Sequence, residues 1–157
     1  MNKEEKVTNI LNSFLEKMGY DDLIAEYIHL SDSFYISQGS TGNVVLGGLA
    51  DKEADKIFMK YCKQLGLNIE VSVETMSFLH EVSHHNTIDF LDDDELLDSE
   101  LIKLTLYMQN EETEENFMKY FTCPVEKAAT VDAVNFCIQY PSIVQNLDKE
   151  LLGALYD

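Results

Sequence analysis

The chain contains no arginine and no tryptophan, and only two prolines and three cysteines in 157 residues. All eleven of its cations are lysines, set against 29 acids, for a formal charge of −18. A field of that sign repels phosphate backbones, so nucleic acid is not an expected partner. Without guanidinium groups there is also no bidentate clamp for phosphate or carboxylate. Apolar runs are short, such as Val44-Val45-Leu46. Nothing approaches the roughly 20 residues that span a bilayer, so no membrane segment is expected. The first residues, Met-Asn-Lys-Glu-Glu-Lys-Val, lack the apolar stretch of a signal peptide, and the expected location is the cytoplasm. Cys62, Cys123 and Cys137 are odd in number, widely spaced and without a CxxC pair, which excludes a disulfide framework and predicts buried, reduced thiols.

What is present is a core-forming composition. Hydrophobic residues make up 45% of the chain, enough for a packed interior, and the length suits one domain over residues 1–157. Ile10, Leu11, Phe14, Leu15 and Met18 repeat at helical spacing and predict a helix over 3–18 that Gly19 stops. A second short helix is expected over 21–30. Ser33–Ser37 and Asn43–Leu46 read as the strands of a hairpin, joined by a loop rich in turn residues. Asp51 is placed to cap a helix that runs to Leu65 and closes at Gly66, and Leu67–Val71 has β character. One helix is expected from Val73 to Phe90. Acidic clusters at 92–95 and 111–115 precede helical segments reaching Met108 and Phe121, where carboxylates favour the helix N-terminus. Pro124 and Pro141 suit the first turns of two further helices, to about Tyr140 and Leu155. The expected fold is α+β: mostly helical, with a small antiparallel sheet packed beside the 73–90 helix.

The motif that carries chemistry lies on that helix. Residues 80–84 read His80-Glu81-Val82-Ser83-His84, an HExxH sequence. Histidines four apart project from one helix face, so both imidazoles can reach one metal ion. Glu81 is turned about 100° from His80 and can contact a water on that ion, as a general base beside a Lewis acid. With four histidines in the chain, chance would produce the motif roughly once in 100 such sequences. Met76, Leu79, Ser83 and Phe90 form one stripe of the helix, and Phe78 and Val82 cover another side, which predicts a central, buried helix. His85 points about 140° from His80 and is not expected to share the ion.

A catalytic zinc takes three protein ligands. No HExxHxxGxxH pattern follows His84, and the position six residues on is Phe90. Glu126 is the leading candidate, with Ala129, Thr130 and Ala133 near its face as small residues that permit close approach. The competing reading of Glu126 is a first-turn acid paired with the helix dipole. The two acidic clusters and Cys123 are further candidates.

HExxH followed by Glu126-Lys127-Ala128-Ala129 resembles the gluzincin-like metallopeptidases, especially the small ImmA/IrrE-type domains. The resemblance covers about residues 67–140, with Ala129 and Phe136 at matching positions. It implies zinc, a helix-rich α+β fold with a twisted antiparallel sheet, and cleavage of a protein or peptide substrate. In that reading Glu81 activates zinc-bound water. Tyr120, Tyr140 or His85 stabilises the oxyanion, and an edge strand at Ser33–Ser37 or Val44–Leu46 pairs with extended substrate. The alternative is a non-catalytic acidic binding module or inhibitor that occupies a basic surface, as a nucleic-acid mimic would.

Overall fold

A computed structural model describes residues 1–38, 43–45 and 52–156. The protein is mostly helical with one small antiparallel sheet, the α+β class expected. Its contacts group into two units: Met1–Ala50 with Glu70–Glu81 and Tyr140–Asp157, and Asp51–Ile69 with Val82–Gln139.

The first unit opens with α1 (Lys3–Lys17). Asn2 accepts from the Glu5 amide at 2.8 Å as its N-cap, and Val7, Leu11, Phe14 and Leu15 form its buried stripe. Gly19, at φ +82°, supplies the left-handed backbone on which the helix stops. The segment after it corrects the expectation of a helix over 21–30. Leu23–Ile28 is a strand, β1. Its residues alternate between buried and exposed, with Leu23, Ala25 and Tyr27 inward. That period of two is the strand signature, and it outweighs the helix-compatible composition of Leu, Ala and Glu.

β2 (Ser33–Gln38) and β3 (Asn43–Val45) form the expected hairpin; residues 39–42, Leu46 and the Asp51 cap lie outside the described residues. The sheet order is β1-β2-β3, with Ala25 opposite Ile36 and Tyr35 opposite Val45. The expectation that Ser33–Ser37 offers a free edge to substrate is therefore overturned, because β2 is central. β1 is closed as well. Asn12 of α1 binds both the amide and the carbonyl of Ala25, at 2.8 and 2.7 Å, and the Thr8 hydroxyl accepts from the Tyr27 amide at 3.0 Å. Side chains of a helix thus complete the ladder that an edge strand leaves open.

α3 (Val73–Thr87) sends Phe78 into this core, edge-on to Phe14 of α1 at 5.8 Å and to Phe34 of β2 at 6.4 Å between ring centroids. The sheet does pack beside the HExxH helix. α7 (Pro141–Tyr156) buries Val144, Leu147, Leu151 and Leu155, one residue per turn. It also holds the start of α3. One carboxylate oxygen of Asp148 accepts from the Ser72 amide at 3.0 Å, from the Ser72 hydroxyl, and from the fully buried Thr75 hydroxyl at 2.7 Å.

The second unit holds α2 (Lys52–Gln64), α4 (Asp93–Gln109), α5 (Glu114–Thr122) and α6 (Pro124–Gln139). Asp92 and Glu95 form a reciprocal capping box on α4, and Thr113 caps α5, so the first acidic cluster does serve a helix start. Two expectations fail here. Leu67–Val71 is not a strand. Gly66, at φ +111°, turns the chain back, and the Leu67 amide is tied to the Cys62 carbonyl at 3.0 Å, which fastens the segment to the end of α2. The helix that starts at Val73 ends at Thr87, and a 3-10 turn covers Ile88–Phe90. Phe90 is 86% exposed, so it does not belong to the buried stripe of Met76, Leu79 and Ser83. All three cysteines are buried and outside any disulfide, as expected, and burial pushes the Cys62 and Cys137 thiols up to about 12, leaving them protonated at neutral pH.

Asp148→Ala is expected to lower the stability of the protein by about 1–3 kcal/mol, by stranding the Ser72 amide and the buried Thr75 hydroxyl. Urea unfolding measures it; an unshifted midpoint would mean water replaces the carboxylate at no cost.

Candidate metal centre

α3 is apolar on most sides. Met76 and Phe78 are fully buried, and Leu79, Val82 and Ser83 nearly so. His80 shares that burial, at 7% exposed, while Glu81 and His84 are half-buried. Two imidazoles on so buried a helix need polar partners. The helical repeat supplies them locally: His80, Glu81 and His84 each place one ligand atom within 4.8 Å of the other two. The Glu81 carboxylate lies 4.0 Å from His80 Nε2.

Glu126 sits in the first turn of α6 and is 4% exposed. Its Oε1 lies 3.3 Å from His84 Nε2, so the two side chains paired from sequence meet in the structure. A charge-assisted N–H···O bond is usually 2.7–2.9 Å, and this contact is longer. The group whose ligand atoms lie within 4.8 Å of one another is His80, Glu81 and His84, and Glu126 is not part of it: it meets His84 from the side of α6. Imidazole nitrogens and carboxylate oxygens are the donor types that zinc takes, so the chemistry of the group fits that ion. A second link joins the same helices, from the Asn86 amide to Asp132 at 3.1 Å. Ala129, Thr130 and Ala133 are all buried, and the Thr130 hydroxyl donates back to the Glu126 carbonyl at 3.0 Å.

Two further residues shape the site, and the sequence reading passed over both. Lys103 of α4 donates to Glu126 Oε2 at 2.8 Å, and its ammonium lies 5.3 Å from the centre of the Tyr120 ring. Burial alone would lower the Lys103 ammonium. The hydrogen bond and charge of Glu126 outweigh it, with smaller help from Cys123 and Glu100, and hold the group above its usual value. It is therefore charged throughout the physiological range. Any stability from the raised value is present below the ordinary lysine pKa and fades only as pH climbs through the higher one. The second residue is Ser99, 1% exposed, whose hydroxyl accepts from the Val125 amide at 2.9 Å and donates to the Glu95 carbonyl. It caps α6 one residue before Glu126. A lone serine and a lone lysine inside a leucine-rich helix carry no spacing signal, and only the pairing of α4 with α6 reveals them.

Of the three oxyanion candidates, Tyr120 joins this cluster through Lys103, His85 is half-buried on the last turn of α3, and Tyr140 belongs to the first unit. Cys123 is buried just ahead of Pro124. Compared with known protein families, curated proteins and solved structures, the chain matches none.

Replacing Lys103 by Met leaves a buried carboxylate without its cation. The expected loss is about 1–3 kcal/mol, below the cost for a fully enclosed pair because the lysine side chain is 30% exposed. Thermal unfolding of Lys103→Met and of Lys103→Met/Glu126→Gln reads it: the second change should restore most of what the first removes. A double variant as unstable as the single one would mean that the lysine acts through packing.

Proposed function

We propose that this protein is a zinc-dependent metallopeptidase that hydrolyses a peptide bond in a protein substrate. His80, His84 and Glu126 would hold the metal, and Glu81 would act as general base. The observation that carries the reading is the meeting of His84 and Glu126 at 3.3 Å, 42 residues apart in sequence, beside an HExxH helix turn. The resemblance of these segments to ImmA/IrrE-type domains supports it.

Zinc, when bound, supplies Lewis-acid polarisation of the scissile carbonyl and acidifies water. The chain's own residues do the rest. Glu81 accepts a proton from the attacking water, whose oxygen forms the new bond to the carbonyl carbon. As the C–N bond breaks, Glu81 returns the proton to the departing nitrogen. Lys103 holds the outer oxygen of Glu126, which leaves the inner one directed toward His84 and fixes the orientation of that carboxylate. The burial of Glu126 strengthens its charge interaction with Lys103.

Elemental analysis of the purified full chain should find about one zinc per chain. It should vanish in His84→Ala and persist in Glu81→Gln. A quenched-fluorescence peptide library incubated with the zinc-loaded protein should be cleaved, and Glu81→Gln should reduce that rate by about 100-fold or more. A wild-type chain that takes up no zinc, or cleavage that survives Glu81→Gln, would sink the proposal. A second reading, a non-catalytic acidic binding module, is favoured by one separate observation on the outer face of α4.

A further inference from the structure

α4 has two apolar faces. One turns inward and carries Leu96, Ser99, Ile102, Lys103 and Leu106. The other carries Leu97, Leu101, Leu104 and Met108, which are 57%, 53%, 55% and 75% exposed. Their spacing is four, three, four, the a/d pattern of a helix that packs along another helix. Scattered exposed leucines are ordinary, whereas a contiguous stripe over three turns marks an interaction surface.

The residues that border the stripe decide what fits it. With Leu97 and Leu104 at d and Leu101 and Met108 at a, the flanking e and g positions are Asp93, Asp98, Glu100, Thr105 and Tyr107. All five are exposed, three are acids, and no cation is among them. Lys103, the one lysine of the helix, falls on the inner side and is engaged with Glu126. A second copy of α4 laid on this seam would bring acids against acids, inside a chain of net charge −18. Opposite charge relieves that repulsion.

We infer that the outer face of α4 is a docking surface for an amphipathic helix of a partner protein, whose apolar stripe is flanked by lysine or arginine. The partner's stripe covers Leu97, Leu101, Leu104 and Met108, and its cations meet Asp93, Asp98 and Glu100. Binding then combines burial of the seam with salt-sensitive steering. The inference is independent of zinc and of peptide cleavage.

The test uses the full chain and two synthetic helical peptides, roughly four heptads long, with leucine at a and d. One carries lysine at e and g, the other glutamate. Fluorescence anisotropy should show the lysine peptide binding, with affinity falling about tenfold or more on going to roughly 0.5 M salt. The glutamate peptide should bind at least about tenfold more weakly. Leu101→Gln/Leu104→Gln keeps charge and helix propensity while removing the seam, and should weaken the lysine peptide by about tenfold or more. Met108→Gln, near the helix end, gives a milder loss should the double variant unfold, and Leu30→Gln, at an exposed leucine of the first unit, should change nothing. Equal affinity for the two peptides overturns the inference. So does undiminished binding of the lysine peptide to the seam variants, which would reduce the interaction to bulk charge. Sedimentation showing a wild-type dimer that Leu101→Gln/Leu104→Gln dissociates would also overturn it, by assigning the face to a second copy.

Discussion

A carboxylate cannot be buried alone, and the second unit is organised around that restriction. Glu126 has lost almost all contact with water. Removing an ion of its size from water costs several kcal/mol even after relaxation, so its oxygens must be matched from outside α6. Lys103 of α4 takes one and His84 of α3 approaches the other. Three helices are therefore set in register by one side chain. Ser99 belongs to the same arrangement, since its hydroxyl closes the amide of the residue just before Glu126. A dipole-paired acid at a helix start has no need of this. Such acids sit at the surface, as Glu114 and Glu115 do in α5. The depth of Glu126 separates it from the other acids among the described residues, and a helix dipole alone does not account for it.

How far the sequence led depends on the range of the interactions involved. Features settled within one or two turns of chain were readable: the acidic helix starts at 92–95 and 111–115, the stops at Gly19 and Gly66, and the two proline-led helices. The spacing of His80 and His84 was equally local. β1 was misread because Leu, Ile, Ala and Glu suit a helix, and only the alternation of burial that α1 and β2 impose makes the segment a strand. Leu67–Val71 erred the other way. Its residues suit a strand, but no strand among the described residues pairs with it, and Gly66 binds it back to α2. Lys103, Ser99 and Asp148 act on partners 23, 26 and 76 residues away, distances over which periodicity says nothing.

The acidity of the chain also divides by position. Many of the acids stand in first turns, at Glu4 and Glu5, Glu53 and Asp55, Asp93 to Glu95, and Glu114 and Glu115. There the helix dipole offsets much of their mutual repulsion. Acids beyond the first turn lack that compensation, and Asp98 and Glu100 are two of them, both beside exposed leucines. Net charge as a whole does not single out a partner surface. These two positions argue about a partner, because they border apolar surface that water leaves at a disadvantage.

α4 shows why such a face escapes sequence reading. An amphipathic helix announces itself by one apolar stripe opposite one polar side. Here two stripes lie on different sides, Leu96, Ile102 and Leu106 inward and Leu97, Leu101, Leu104 and Met108 outward, so the vectors nearly cancel. A helix apolar on every side is the mark of a buried one, and by that rule α4 would be enclosed. It is not: one side rests on α5 and α6, and the other meets solvent. The inner side is occupied by the Ser99 and Lys103 contacts that place Glu126, which fixes how α4 is rotated about its own axis. Once that rotation is set by the buried carboxylate, the leucine seam has no freedom to turn inward. Its exposure is then a consequence of the site rather than an accident of surface composition.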